Sequence, residues 1–381
     1  MKKGWLAEIN HHKMILAEVV WEKKKDLRII MNKIEQIHIP NGDQQDIAEK
    51  LRELVKREKL TTKNLKISLV CPGVMFRMVS VPKMSSGSLD QFIYHEFDQC
   101  FSFDLTDYLI DYRMIRRFKT LGQERISILL AAVPRSDVEN VNKLWKEAGI
   151  QPQTIDLGLD CIIRLFKVLF EREAKINSQA LISEEGHSPD HIVIVDFRHD
   201  KADFIVLAEG QLDHYSSVAV HLPQISKTAE ETAAAACPKE PDTPPEGSAE
   251  YAFRGMIPKG NLQIKRKRQE HEFILEELFI PYFPSAQQYE SAFTAVIEEL
   301  SAALNTFRTN HGGQQIKKVY LLGEYADFPG FQGLIHKELQ VSTVLGYPGK
   351  WKPEFREPSL LWEKDWLSFT GLCGLALRGM K

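Results

Sequence analysis

The sequence predicts an α/β chain in two similar parts, each a mixed sheet that begins with an antiparallel meander. Three observations carry this. The N-terminus alternates short apolar runs with polar turns: Trp5–Ile9, a turn at Asn10–Lys13, Met14–Trp21, a charged turn at Glu22–Asp26, then Leu27–Ile34. His191–Val220 repeats the pattern, with runs Ile192–Val195 and Ala202–Leu207, turns at Arg198–Lys201 and Glu209–Gly210, and a third run to Val220. β-Branched runs joined by tight polar turns read as strand meanders. In both copies an acidic residue, Glu8 or Asp196, stands just before the first turn. A length of 381 residues suits about two domains of ordinary size.

The remaining elements follow in order. Gln44–Glu58 sets Ile47, Leu51, Leu54 and Val55 on one helical face with charges opposite. Leu65–Val70 reads as a buried strand, broken at Cys71-Pro72-Gly73 and resumed at Val74–Val81 before Pro82. Ser85–Phe103 carries a helix with an apolar stripe of Leu89, Phe92, Ile93 and Phe97, for which Ser88 with Gln91 forms a capping box. Tyr108–Ile115 and Arg125–Val133 are strands. The second is almost continuously apolar and belongs in the middle of a sheet. Ser136 is expected to cap a helix ended by Gly149. A strand over Ile150–Ile155 and an apolar helix over Leu159–Phe170 close the first part, and Asn177–Asp190 is a polar connection. Residues 223–262, rich in Ala, Glu, Pro and Thr, read as a mobile insert with too little apolar surface to fold alone. Lys265–Arg268 is a basic run read as a solvated face. Ala286–Thr309 is the longest helix, stopped by Gly312-Gly313. A strand at Lys317–Leu322, a loop at Gly323–Phe331, a helix to Leu339, a strand at Ser342–Leu345 and a last helix at Trp366–Leu377 complete the chain.

Totals narrow the function. With 49 basic and 52 acidic residues the net charge is -3, which gives no electrostatic case for nucleic acid. No apolar run is long enough to span a bilayer, and the first residues do not read as a signal peptide. Five scattered cysteines (Cys71, Cys100, Cys161, Cys237, Cys373) read as buried free thiols of a reducing compartment, not as a disulfide framework or zinc site.

Three segments, in this order, carry a resemblance. The first is Met75-Phe76-Arg77 through Val81-Pro82, the helix with Glu96, the Phe101–Phe103 turn and Asp111-Tyr112. The second is Leu129–Phe166, with Ala131, Ala132, Ala148, Gly149, Asp156 and Arg164 in register. The third is VYLLGEYADFPGFQGLI followed by GLCGLALRG at Gly371–Gly379. Together they resemble the PilM family, actin-like proteins of type IV pilus assembly related to FtsA. Ser102-Phe103-Asp104 stands where that family usually has a proline.

The resemblance implies an actin-like (ribonuclease H-like) duplicated fold. The first domain would be 1–170, with a small inserted subdomain of the 1C type at about 74–130. A connection at 171–190 and a second domain at 191–381 would follow. It also implies three nucleotide loops, and each departs from pattern here. A phosphate-cradling turn works through backbone N–H groups, and glycine lets the backbone approach. The first loop reads Glu8-Ile9-Asn10-His11-His12-Lys13, where Asn10 could take the left-handed conformation and Lys13 could offset phosphate charge, while His11 and His12 crowd the site. The second reads Asp196-Phe197-Arg198-His199-Asp200, with Arg198 in the glycine slot. Asp196 would orient water around Mg²⁺ only if nucleotide binds. The third reads Gly323-Glu324-Tyr325-Ala326, with Glu324 replacing a glycine.

These departures predict a degenerate nucleotide site and a non-catalytic protein, with ATP and Mg²⁺ as the conditional cofactors. The resemblance further implies a groove beside the 1C-type subdomain for an extended peptide, the cytoplasmic tail of an inner-membrane PilN-like partner. Arg77, Tyr94, Phe97 and Tyr112 are the candidate wall residues. The chain is thus expected to be a cytoplasmic scaffold held at the inner face of the membrane by its partner. Alternatives are an active actin-like ATPase whose nucleotide state gates assembly, a sugar-kinase relative, and the cytoplasmic part of a type II secretion L-type protein.

Overall fold

The computed structural model describes residues 2–22, 27–39, 44–71, 73–100, 106–120, 122–152, 154–179, 191–198, 201–220, 286–328, 331–356 and 366–378. The insert expected at 223–262, the basic run Lys265–Arg268 and nearly all of the 177–190 connection lie outside them.

The two meanders build the centres of two matching sheets. Strands β1 (Lys2–Ile9), β2 (Lys13–Glu22) and β3 (Arg28–His38) pair antiparallel. β4 (Leu65–Leu69) then adds parallel to β1, and β8 (Thr154–Leu157) parallel to β4. In the second half β9 (His191–Phe197), β10 (Lys201–Ala208) and β11 (Gln211–Ala219) repeat the meander. β12 (Lys318–Gly323) and β13 (Ser342–Leu345) repeat the parallel additions. The orders are therefore β3-β2-β1-β4-β8 and β11-β10-β9-β12-β13, one plan used twice. The first sheet gains a sixth strand, β14 (Glu354–Phe355), which runs parallel to β3 from far along the chain.

Alternation along β1 sends its side chains to two different cores. Trp5, Ala7 and Ile9 pack with α1 (Gln44–Arg57) and α3 (Arg135–Glu147). Leu6 joins the central core, where α4 (Gly158–Gln179), α5 (Ala286–Asn310), α6 (Phe331–Leu339), α7 (Thr370–Ala376) and the second sheet meet. Glu8 shares Leu6's parity, so an acidic side chain is buried on the face that meets the second half.

The third sheet is the small inserted one. β5 (Met75–Pro82), β7 (Gln123–Pro134) and β6 (Tyr108–Thr120) lie in that order, all antiparallel. β7 is central, as its unbroken apolar run requires. Helix α2 (Ser86–Cys100) covers one face through Leu89 and Ile93.

Several local expectations change. Ser85, not Ser88, caps α2: its Oγ accepts the Ser88 N–H at 3.2 Å. Ser136 makes no cap either, because α3 begins at Arg135 after an N-cap Pro134 without a side-chain cap bond. Gly149 does end that helix at φ 87°, a left-handed value that glycine adopts freely. α4 runs past Phe170 to Gln179, and the last helix divides into a 3₁₀ turn, Trp366–Phe369, and α7. The strand expected at Ile150–Ile155 is confined to β8. Cys71, Cys161 and Cys373 are free and buried, and burial pushes each thiol's pKa up.

Candidate functional site

The two β-hairpins that open the halves close in the same way. Asn10 N–H donates to Lys13 O at 3.0 Å, and Arg198 N–H donates to Lys201 O at 2.8 Å. The match aligns Glu8 with Asp196, Asn10 with Arg198 and Lys13 with Lys201. Asn10 does not take the left-handed conformation expected of it: among the described residues only Lys59, Glu209, Gln340 and Lys350 have positive φ without being glycine. Its side chain shapes the turn instead. Oδ1 accepts the N–H groups of His12 at 2.9 Å and Lys13 at 2.7 Å, an Asx turn. His11 is exposed, with Nε2 3.8 Å from Asp137.

Arg198 spans the gap between the sheets. Its Nη1 donates to Glu8 Oε1 at 2.8 Å, and its Nε lies 2.5 Å from Asp196 Oδ2. The second contact is an ion pair without hydrogen-bond alignment, since Nε and Oδ2 both lack a hydrogen-bond partner. Glu8 and Asp196 are buried, at 7% and 2% exposure, and Arg198 is nearly so at 11%. Burial pushes the Asp196 carboxyl up to about 7, against the pull of Arg198. Burial opposes the Arg198 charge as well, but Asp196, Glu8 and Asp203 more than offset it, so the guanidinium stays protonated. Asp203 in turn accepts the Tyr215 hydroxyl at 2.8 Å and lies 2.9 Å from Lys201 Nζ.

A second ion pair joins the same two regions. Lys13, from the first hairpin, contacts Glu324, from the turn after β12. Gly323, just before it, has φ +91°, and a Cβ there would lie 1.9 Å from Phe197 O. That glycine lets β12 turn away directly beside β9. From the far end of the chain, α7 presses Gly371 onto Glu8: a Cβ at Gly371 would lie 1.6 Å from Glu8 Oε2. Glu8 is therefore held by the second hairpin on one side and by α7 on the other. Sequence reasoning singled out Asn10, His11, Lys13, Asp196, Arg198, Gly323 and Glu324. It missed Glu8 as the acceptor of Arg198, although its place before the turn matched Asp196.

The small sheet arranges the other candidates. Arg77 pairs with Leu130, and Leu130 with Tyr112, so the three form one row across the strands. Leu130 is buried in the core beneath α2, which sets Arg77 and Tyr112 on the α2 side. Tyr112 donates its hydroxyl to Asp90 Oδ1 on α2 at 2.5 Å, and this bond with burial raises its pKa. The side chains of Tyr94 and Phe97 lie outside the described residues. Ile110 and Met114 flank Tyr112 at alternate positions of β6 and are 42% and 40% exposed. They were not singled out from the sequence. The available signal was two apolar residues on either side of Tyr112 in a strand too polar to be central.

Among the described residues no group of three or more His, Cys, Asp or Glu side chains could hold a metal ion, and no helix is long and apolar enough to cross a membrane.

Residues 15–212, just over half of the chain, match the family model described as type IV pilus assembly protein PilM. A solved PilM–PilN type IV pilus biogenesis complex is similar over 99% of this chain and 98% of its own, with 17% identity and a TM-score of 0.66. The cytoplasmic domain of EpsL, an inner-membrane component of the type II secretion system of Vibrio cholerae, covers 100% of this chain and 97% of its own at 8% identity and a TM-score of 0.42. A Bacteroides thetaiotaomicron protein with an actin-like ATPase fold covers 98% and 95%, also at 8% identity, with a TM-score of 0.43. No curated protein matches the sequence. The doubled sheet plan is the actin-like fold, and the chain belongs to the PilM family of type IV pilus assembly proteins.

Proposed function

We propose that this protein is a non-catalytic scaffold of type IV pilus assembly, or of a related competence or secretion system. It binds the cytoplasmic tail of an inner-membrane PilN-like partner and works without nucleotide. Its two actin-like domains are 1–170, including a 1C-type subdomain at about 74–130, and 191–381, joined by 171–190. The observation that carries the reading is Arg198. A phosphate loop needs bare backbone N–H groups at that place; here a guanidinium fills it, bonded to Glu8. Glu324, at the place of a glycine in the third loop, adds a carboxylate paired with Lys13. Magnesium-nucleotide does not fit beside these side chains as they stand. Asp196, to which the resemblance gives the role of orienting magnesium-bound water if nucleotide binds, is paired with Arg198.

The partner reading rests on family membership and on the 1C-type sheet, where Arg77 and Tyr112 share one face and Ile110 and Met114 expose apolar surface beside them. An extended tail would gain main-chain hydrogen bonds at a sheet edge and side-chain contacts on that face. Through this tail the protein would sit at the inner face of the cell membrane.

Two measurements test the reading. A labelled peptide of the PilN-like cytoplasmic tail should bind the whole chain in fluorescence anisotropy, and Arg77→Glu should weaken it about tenfold or more, a loss of roughly 1.4 kcal/mol. Mg-ATP or Mg-ADP at millimolar concentration should leave the melting temperature unchanged, since a ligand stabilises only what it binds. A nucleotide-dependent rise would restore the ATPase reading.

A further inference from the structure

Glu8 and Asp196 belong to different sheets, yet one guanidinium touches both. Neither carboxylate has an exposed route to solvent counterions, for both are almost fully buried. A buried carboxylate pair without a cation is strongly disfavoured, because like charges in a poorly solvating site repel with little screening. Either a proton or a cation must relieve that repulsion, and the guanidinium in contact with both carboxylates supplies the cation. Arg198 leaves the β9–β10 turn and passes between the sheets. Its Nη2 lies 3.7 Å from the Cβ position of Gly158, at the start of α4. A bulkier residue at 158 would narrow that passage.

We propose that the Arg198 guanidinium is the resident cation between the two sheets, holding Glu8 and Asp196 together as a bound metal ion would. The link between the two sheets at this point is thus made by the chain itself. Lys13 and Glu324 add a second contact between the same regions, with the polarity reversed: the cation comes from the first half and the carboxylate from the second. This inference rests on the nucleotide-independent reading above, but not on the peptide site. Its test involves no peptide, so the two can fail separately.

The test is chemical rescue in the whole chain. Arg198→Gly removes the cation and leaves a guanidinium-sized space between the carboxylates. The variant should melt several degrees below the wild type. Guanidinium at low millimolar concentration, or Mg²⁺ or Mn²⁺, should restore at least half of the loss, while sodium chloride at equal ionic strength should not. The wild type should respond to none of them. A variant that melts like the wild type, or one that no cation rescues beyond sodium chloride, overturns the proposal. Where Arg198→Gly does not fold, a double-mutant cycle decides the question. Glu8→Gln should destabilise the wild type but be neutral or stabilising beside Arg198→Gln. Additive losses overturn the proposal.

Discussion

Gly371→Ala tests whether the end of the chain determines the state of the cleft. The added Cβ would lie 1.6 Å from Glu8 Oε2, so about 2 Å of relief is needed to reach ordinary contact. Glu8 is a flexible side chain, which would make relief easy on an open surface. Here it is buried, and its other oxygen accepts from Arg198. Swinging Glu8 away breaks a buried ion pair, at about 3–5 kcal/mol. Shifting α7 instead is an overpacking cost of about 1–3 kcal/mol. It falls toward the upper end, because every residue of α7 is buried and Gly374 abuts Cys161 O. Alanine in a helix returns up to about 1 kcal/mol over glycine. The net expectation is a loss of about 2 kcal/mol, read as a lower urea midpoint at unchanged slope. In a Glu8→Ala background the collision partner is gone, and the same substitution should cost nothing. A neutral Gly371→Ala, or a loss undiminished beside Glu8→Ala, would refute the reasoning.

Other outcomes follow from the same geometry. Gly374→Ala should destabilise more than Gly371→Ala, because its Cβ would meet backbone, Cys161 O at 1.8 Å, which cannot rotate away; urea unfolding of the two variants compares them. Asp196 has its carboxyl raised from 3.8 to about 7 in the folded protein. The folded state then holds a proton that the unfolded state has released, so its contribution falls as pH rises from about 4 to about 7. The stability of Asp196→Asn relative to wild type should accordingly rise over that window and level off above it, as unfolding at several pH values will show. Ile110→Asp and Met114→Asp should leave the melting temperature within about a degree, since surface changes are usually within about 0.5 kcal/mol. Each should weaken the tail peptide in anisotropy if that face is the docking surface.

The sequence displayed its sheets more openly than its site. The meanders were legible because β-branched runs and polar turns are local signals, and β7 was legible as a central strand from its unbroken apolar run. Caps were less so: Ser85 and Ser88 differ by three residues and both can accept an N–H, and only the backbone entry angle chooses. Asn10 could be read as a turn residue, but not how it works: its side chain, and not a left-handed backbone, makes the turn. Arg198 stood out in the sequence for occupying the place of a glycine. Its partner did not, for Glu8 lies far away in sequence and no periodicity links the two. Gly371 lay inside one of the segments that carry the resemblance, yet nothing local marks it as the residue that faces Glu8. Tyr112 and Arg77 came together because strand register, once known, fixes neighbours across a sheet.

The short strand β14 has a consequence for how the protein is made. It lies parallel to β3 at the open edge of the first sheet, where Trp351 Nε1 donates to Leu27 O at 3.0 Å and Arg28 grips Glu354 through two hydrogen bonds of 2.9 and 2.7 Å. Helix α7 covers β1 from the same late region. At a synthesis rate of about 5–20 residues per second, roughly half a minute separates the emergence of β3 from that of β14. Throughout that interval the nascent first sheet has an unpaired edge and a bare apolar face, the surfaces that recruit chaperones and wrong neighbours. The ribosome-bound chain should therefore pass through a long vulnerable stage, ended only when its last strand and helix return to the strands made first.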